Sequence, residues 1–209
     1  MKKILEKCVL TLLVISFVGI SHNVFSTSLI HRNLKELVVT SERIFIGQCI
    51  AVQEGELKFP RGTIFYTEYT FQVSESIKGN VDGVITFKQY GLAKPRQIDE
   101  NTILYNRPVG MPVYNENEEY MLFLIGDSRL GLTSPVGLYQ GAFSITQDQL
   151  GRQVALNGAS NRGLFKNMSS DELSTLALTR TELTLATRTK GPFILNDFVS
   201  VVKKFDRSY

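Results

Sequence analysis

Arg43 to Gln53 reads RIFIGQCIAVQ and Thr67 to Val73 reads TEYTFQV, and these two stretches decide the fold. The first is β-branched and apolar at consecutive positions, so a strand built from it must be buried on both faces. The second alternates. Tyr69, Phe71 and Val73 fall on one face and Glu68, Thr70 and Gln72 on the other, as in a strand with one wet side. Outward from these, Lys78-Gly79-Asn80 supplies a turn into GVITFKQY at Gly83 to Tyr90, and EYMLFLI at Glu119 to Ile125 is another two-sided strand. GAFSIT at Gly141 to Thr146 and QVAL at Gln153 to Leu156 flank Gln147-Asp148-Gln149-Leu150-Gly151, a hairpin connection with glycine late in the turn. Short strands joined by such turns predict a mainly β chain. Two-sided burial in an antiparallel setting arises when a small sheet closes on itself and helices cover it from outside. The expected fold is therefore a small closed barrel with an N-terminal amphipathic helix and a C-terminal helix.

Two helical periods support that cover. Ile30, Leu34, Leu37 and Val38 recur at i, i+4, i+7 and i+8, predicting a helix from Ser28, its cap, to Thr40. Phe198, Val201, Val202 and Phe205 repeat the pattern near the end of the chain, with Asn196 as the expected cap and Pro192 ahead of it. Between them, Ser169-Ser170-Asp171-Glu172 has capping-box spacing before Leu173, Leu176 and Ala177. Thr179 to Gly191 reads as partly ordered linker. The organisation expected is a leader over 1–26, a β-barrel domain with its leading helix over 27–158, a linker with a short helix over 159–191, and the last helix over 192–209.

The leader rests on Lys2, Lys3 and Lys7, followed by the apolar run CVLTLLVISFVGI from Cys8 to Ile20. That run fits the roughly 7–15 residues of a signal core and falls short of the roughly 20 needed to span a bilayer. Val24-Phe25-Ser26 offers a cut before Thr27; a cut after Ser21, or an uncleaved anchor, are the alternatives. The expectation is a periplasmic or secreted protein with no transmembrane span once the signal peptide is removed.

Composition argues mostly against chemistry. The chain carries Lys+Arg 23 against Asp+Glu 20, and removing the leader leaves 20 against 19. The remaining cations are scattered, with Lys203-Lys204 the one adjacent pair after the leader, so no stripe exists to neutralise a phosphate backbone, and nucleic acid is set aside as a partner. Of the 2 Cys, Cys8 leaves with the signal and Cys49 sits in an apolar strand as a buried, inert thiol. His31 is the one histidine past the leader, too near the start to serve well as a rigid base, and far from Cys49. Neither metal site nor cofactor is expected: zinc lacks its ligands, Asn115-Glu116-Asn117-Glu118-Glu119 lacks calcium-loop spacing, and no glycine-rich phosphate loop occurs.

The segment from Gly91 to Glu118 has little periodicity and is long for a loop inside a compact domain, a length that often marks function. Gly110-Met111-Pro112 is expected at its tip as a partner-contact site, since glycine and proline set a turn and methionine offers an adaptable apolar surface. Met111 tucked into the barrel mouth is the alternative.

Several ordered pieces carry a resemblance: Ile44-Phe45-Ile46-Gly47, Tyr69 to Val73 with Lys78-Gly79, Gly110-Met111-Pro112, Glu119 to Leu124, and Gly137 to Phe143. In that order they resemble a group of uncharacterised exported bacterial proteins, over roughly residues 40–146. More distantly, the Phe71 and Val73 strand, the Lys78-Gly79 turn and the Tyr120-Met121-Leu122 strand are similar to the five-stranded OB-fold of netrin-like domains, the superfamily of the tissue inhibitors of metalloproteinases. The resemblance implies a barrel. It does not carry the inhibitors' mechanism, because Thr27 stands where they place a chelating cysteine, and their disulfides have no counterpart here. The resulting expectation is an exported, non-enzymatic protein-binding module that acts through a barrel-end loop on another exported macromolecule, a protease in its narrowest form. A carboxylate-dependent hydrolase of the cell envelope and a peripheral envelope-associated structural protein are the alternatives.

Overall fold

The computed structural model describes residues 29–209. The expected leader over 1–26 lies outside them. A short helix, α1 (Leu34–Thr40), leads into two long strands, β1 (Arg43–Phe59) and β2 (Gly62–Lys78), followed by β3 (Val84–Tyr90). A two-stranded hairpin, β4 (Arg96–Asp99) with β5 (Thr102–Leu104), precedes β6 (Glu119–Leu124) and the short β7 (Leu132–Thr133). Then come β8 (Ala142–Gln147), β9 (Gln153–Asn157), α2 (Ser170–Thr175), α3 (Arg180–Thr187), β10 (Phe193–Ile194) and α4 (Leu195–Ser208).

Eight strands form one sheet in the order β10-β9-β8-β6-β1-β2-β3-β7. All neighbours are antiparallel except β3 and β7, which run parallel through Lys88–Leu132 and Gln89–Thr133. The mainly β expectation holds. The closed OB or netrin-like ring does not appear as a closed series of strands, because β10 and β7 are the two ends and do not pair. Past β7 the chain returns to β6 through one antiparallel bridge, Leu124 with Pro135.

The two-sided strands separate two cores. In β1, Ile44 and Ile46 face one way and Phe45 and Cys49 the other; in β6, Met121 and Phe123 oppose Tyr120, Leu122 and Leu124. On the inner side Phe71 meets Phe45, Phe87, Tyr114 and Tyr120 with ring centroids 5.5–6.1 Å apart, edge-on except for the stacked Phe87. Such pairs add about 0.5–1.5 kcal/mol each beyond area burial. On the outer side α1 and α4 cover the sheet. Phe198, Val201, Val202 and Phe205 all face this core, as the period predicts. That face is therefore not free for an envelope surface.

Several local expectations need correcting. Helix α1 begins at Leu34, not after Ser28: Asn33 accepts from the Glu36 amide while the Glu36 carboxylate takes the Asn33 N–H, a complete capping box. Ile30 lies outside the helix and is exposed. Asn196 does not cap α4; Ile194 holds that position without a side-chain bond. The stretch expected as linker is part of the main core, since Leu164, Phe165, Leu176 and Leu185 are buried in it. Ser169 and Glu172 form the expected capping box, and Thr179 and Glu182 form a second that starts α3. At the β2 turn Gly79 has φ +84°, and a Cβ there would stand 2.4 Å from the Glu42 carbonyl oxygen, so only glycine fits.

Candidate functional site

The excursion between β3 and β6 is rooted at both ends by backbone bonds. The Gly91 N–H donates to Phe65 O at 2.8 Å, Leu92 N–H to Asn106 O at 2.8 Å, and Thr67 Oγ1 to Gly91 O at 2.7 Å. On return, Asn117 N–H donates to Cys49 O and Cys49 N–H to Glu118 O, at 2.8 and 3.0 Å. The excursion is also pinned by one ring. Tyr114 is buried, 4.7 Å from the Tyr69 ring and 5.1 Å from that of Tyr120, filling the mouth of the inner core. Burial pushes its hydroxyl well above the ordinary phenol range. That hydroxyl donates to Gln89 Oε1 at 3.4 Å, and Gln89 Nε2 donates to Pro112 O at 2.7 Å.

Gly110, Met111 and Pro112 are half-buried against this anchor and do not project. Gly110 has φ +85°, its carbonyl accepts from the Tyr139 N–H at 3.0 Å, and a Cβ would press on Leu29 at 2.8 Å. Met111 is neither at a tip nor in the inner cluster. What is exposed instead is the β4–β5 hairpin and the irregular chain leaving it. Tyr105 is 75% exposed and Val109 81%, with Ile98 and Ile103 half exposed. Burying such side chains against a partner is favourable by about 25 cal/mol per Å2 of apolar surface. All four lie on the one excursion between β3 and β6.

The hairpin is tied to the far half of β1 and β2. Those strands run past the last pairings with β6 at Gln48 and β3 at Tyr66, leaving residues 56–59 and 62–65 as a two-stranded arm. The Arg96 guanidinium lies 5.1 Å over the Phe65 ring and 3.4 Å from Glu54 Oε2, and the Lys94 N–H donates to Glu54 Oε1 at 3.1 Å. Arg107 donates to Ala93 O at 2.8 Å. Between arm and root lies a hollow of about 430 Å3 walled by Val52, Val113 and Tyr114 with the carboxylates of Glu54 and Glu116. Asn106 Oδ1, at the root, is a buried side-chain oxygen with no partner among the described residues.

Groups considered for chemistry are otherwise engaged. His31 Nε2 lies 2.9 Å from Gly163 O. Cys49 is fully buried, and burial pushes its thiol up to about 11. Among the described residues no three His, Cys, Asp or Glu side chains gather as metal ligands, and no helix is long and apolar enough to cross a membrane. The structure places Gly110, Met111 and Pro112, expected at the tip, on the anchored part of the 91–118 segment. The alternation Arg96 to Asp99 and Thr102 to Leu104 around Glu100-Asn101 was the signal for the hairpin, and it is only four and three residues long. Compared with known proteins, the chain matches no family model, no curated protein and no solved structure.

Proposed function

We propose that this is an exported, non-enzymatic binding protein that engages another exported macromolecule through the residue 91–118 excursion. The observation that carries the reading is the exposed set Ile98, Ile103, Tyr105 and Val109 on the hairpin and the chain that leaves it, which Tyr114 and the Glu54–Arg96 pair hold in place. A loop that only crossed one end of a sheet would need no such anchoring. The leader over 1–26 supports export to the periplasm or beyond, and the buried Cys49 and carbonyl-bound His31 support a surface role over nucleophilic chemistry.

The scaffold reading is an OB barrel of netrin-like type. Its support is the parallel β3–β7 pair, the Leu124–Pro135 bridge back to β6 and the aromatic cluster enclosed between these strands. In this reading the excursion replaces an ordinary barrel-end connection, and Tyr114 is the plug of that end. A protease partner is the narrow form, resting on the resemblance alone. The test is capture from the exported fraction with the full chain against an Ile103→Ser, Val109→Ser variant. Loss of a partner in the variant supports the reading; equal capture of the same partner by both overturns it.

A further inference from the structure

Away from the excursion, the five consecutive strands β9, β8, β6, β1 and β2 share an outer face that the helices cover at one end only. Under α1 and α4 that face is Ile44, Ile46, Met121, Phe123, Phe143 and Ala155. Lys203 of α4 meets Glu75 at 2.6 Å near the limit of this cover. Beyond it the same face continues as Ser74, Gln72, Gln48, Glu119, Gln147 and Gln153, lining an open trough of about 840 Å3. Four strand-to-strand steps of about 4.8 Å make the trough roughly 19 Å long, so it suits a short chain more than a compact molecule.

Its polar groups are partly engaged with the protein. Gln48 Nε2 donates to Asn117 O and Gln72 Nε2 to Gly83 O, each at 3.1 Å. Gln153 Nε2 and Ser74 Oγ donate to the two carboxylate oxygens of Glu119 at 3.3 and 3.4 Å. The amide nitrogens are thus turned onto the protein, while the amide oxygens of Gln48, Gln72 and Gln153 accept no hydrogen bond among the described residues. Each of these amides keeps one N–H free, and the side chains of Asn117, Ser144, Thr146 and Gln147 make no hydrogen bond among the described residues, so the trough offers donors and acceptors together. A ligand whose groups both donate and accept fits it.

Charge and polarity narrow the class. No Lys, Arg or His lines the trough, and Glu118 and Glu119 do, which disfavours phosphates and carboxylates. Ile145 is its one apolar side chain, so an apolar ligand finds no wall. Both carboxylates already hold neutral donors, Glu119 as above and Glu118 from the Tyr120 hydroxyl at 2.6 Å. The remaining amide acceptors are uncharged and lie on β1, β2 and β9. That array matches a repeating set of hydroxyls better than one point charge. We propose that the trough binds a short neutral oligosaccharide laid across the strands, its hydroxyls donating to Glu119 and to the amide oxygens of Gln48, Gln72 and Gln153. With no aromatic ring to stack on, binding rests on hydrogen bonds and is weak. Only the return end of the excursion, Asn117 and Glu118, reaches the trough, and the proposed ligand contacts use neither its hairpin nor the exposed residues that follow the hairpin.

The test titrates the full chain with chitotetraose, cellotetraose and maltotetraose, and with spermine as a cationic probe, reading side-chain amide resonances by NMR. The expected result is that at least one tetrasaccharide shifts the Gln48, Gln72 and Gln153 amides with an affinity insensitive to salt up to about 0.5 M. Gln48→Ala with Gln72→Ala then weakens it about tenfold, as two lost hydrogen bonds of roughly 0.5–1.5 kcal/mol require. The proposal is overturned if no tetrasaccharide moves these amides, or if spermine alone does so in a salt-dependent way that Glu119→Gln abolishes. The wild-type titration decides the matter even where a variant fails to fold.

Discussion

The joint between α3 and α4 turns on one buried carboxylate, and its removal has a calculable pH signature. Glu182 accepts from Lys204 Nζ at 2.6 Å, from Ser200 Oγ at 2.5 Å and from the Thr179 N–H at 2.6 Å. Its side chain is only 3% exposed. Burial pushes its carboxyl up, but the bonds from Lys204, Ser200 and Thr179 together outweigh that and hold it down at about 2, against 4.5 for a solvated glutamate. Because the folded value is depressed, the group contributes stability that is fully present above pH 4.5 and is lost as pH falls from there towards 2. At 1.36 kcal/mol per pH unit of separation this contribution is roughly 3 kcal/mol. Glu182→Gln keeps the shape and removes the charge, and Lys204, one quarter exposed, can turn its ammonium to water. Urea denaturation of the two proteins at several pH values should show the variant less stable by about 3 kcal/mol at pH 7. The gap should close as pH falls from 4.5 towards 2. Other carboxylates titrate in both proteins and cancel in the difference. A gap that is absent at pH 7, or that stays constant down to pH 2, would refute the assignment of Glu182 as an ionised core group.

Tyr114→Ala removes the plug of the inner core and its contacts with Tyr69, Phe71, Phe87 and Tyr120; we expect about 3–5 kcal/mol of lost stability in urea melts. A loss below about 1 kcal/mol, within the range of an ordinary surface substitution, would show that the excursion is not anchored there. Cys49, buried with its thiol pushed to about 11, should resist a thiol reagent at pH 8 in native buffer and react promptly in denaturant. Fast native labelling would place Cys49 at a surface.

Legibility in the sequence followed how local each determinant is. β3, β6, β8 and β9 were readable because burial alternation is written into neighbouring residues, and the two-sided character of Ile44 to Ile46 and Tyr120 to Leu124 matched the two cores. The far arm of β1 was readable in principle, since Glu54, Glu56 and Lys58 alternate with Gly55, Leu57 and Phe59. It was missed because the alternation ends in small and charged groups. Asn33 with Glu36 and Thr179 with Glu182 carried the same capping signal as Ser169 with Glu172. In the first case Ile30 extended the apolar period by coincidence; in the second a Thr-rich composition masked the helix. β7 is two residues long and held by a parallel partner about 44 residues away, a pairing that no local pattern specifies. The candidate site was half legible. The length of the 91–118 segment was informative, but exposure of Tyr105 and Val109, and anchoring by Tyr114, depend on tertiary contacts.

The claim that the exposed apolar residues of the hairpin and the chain leaving it are the working surface is tested most directly at Ile103 and Val109. Full chain and the Ile103→Ser, Val109→Ser variant, shown by their melts to be equally folded, are used to capture partners from the exported fraction, and the captured partner is then titrated against each. The account predicts one stoichiometric partner for the wild type, bound at least about tenfold more weakly by the variant, as the loss of roughly 1.4 kcal/mol of apolar burial requires. A partner bound equally by both proteins would contradict it.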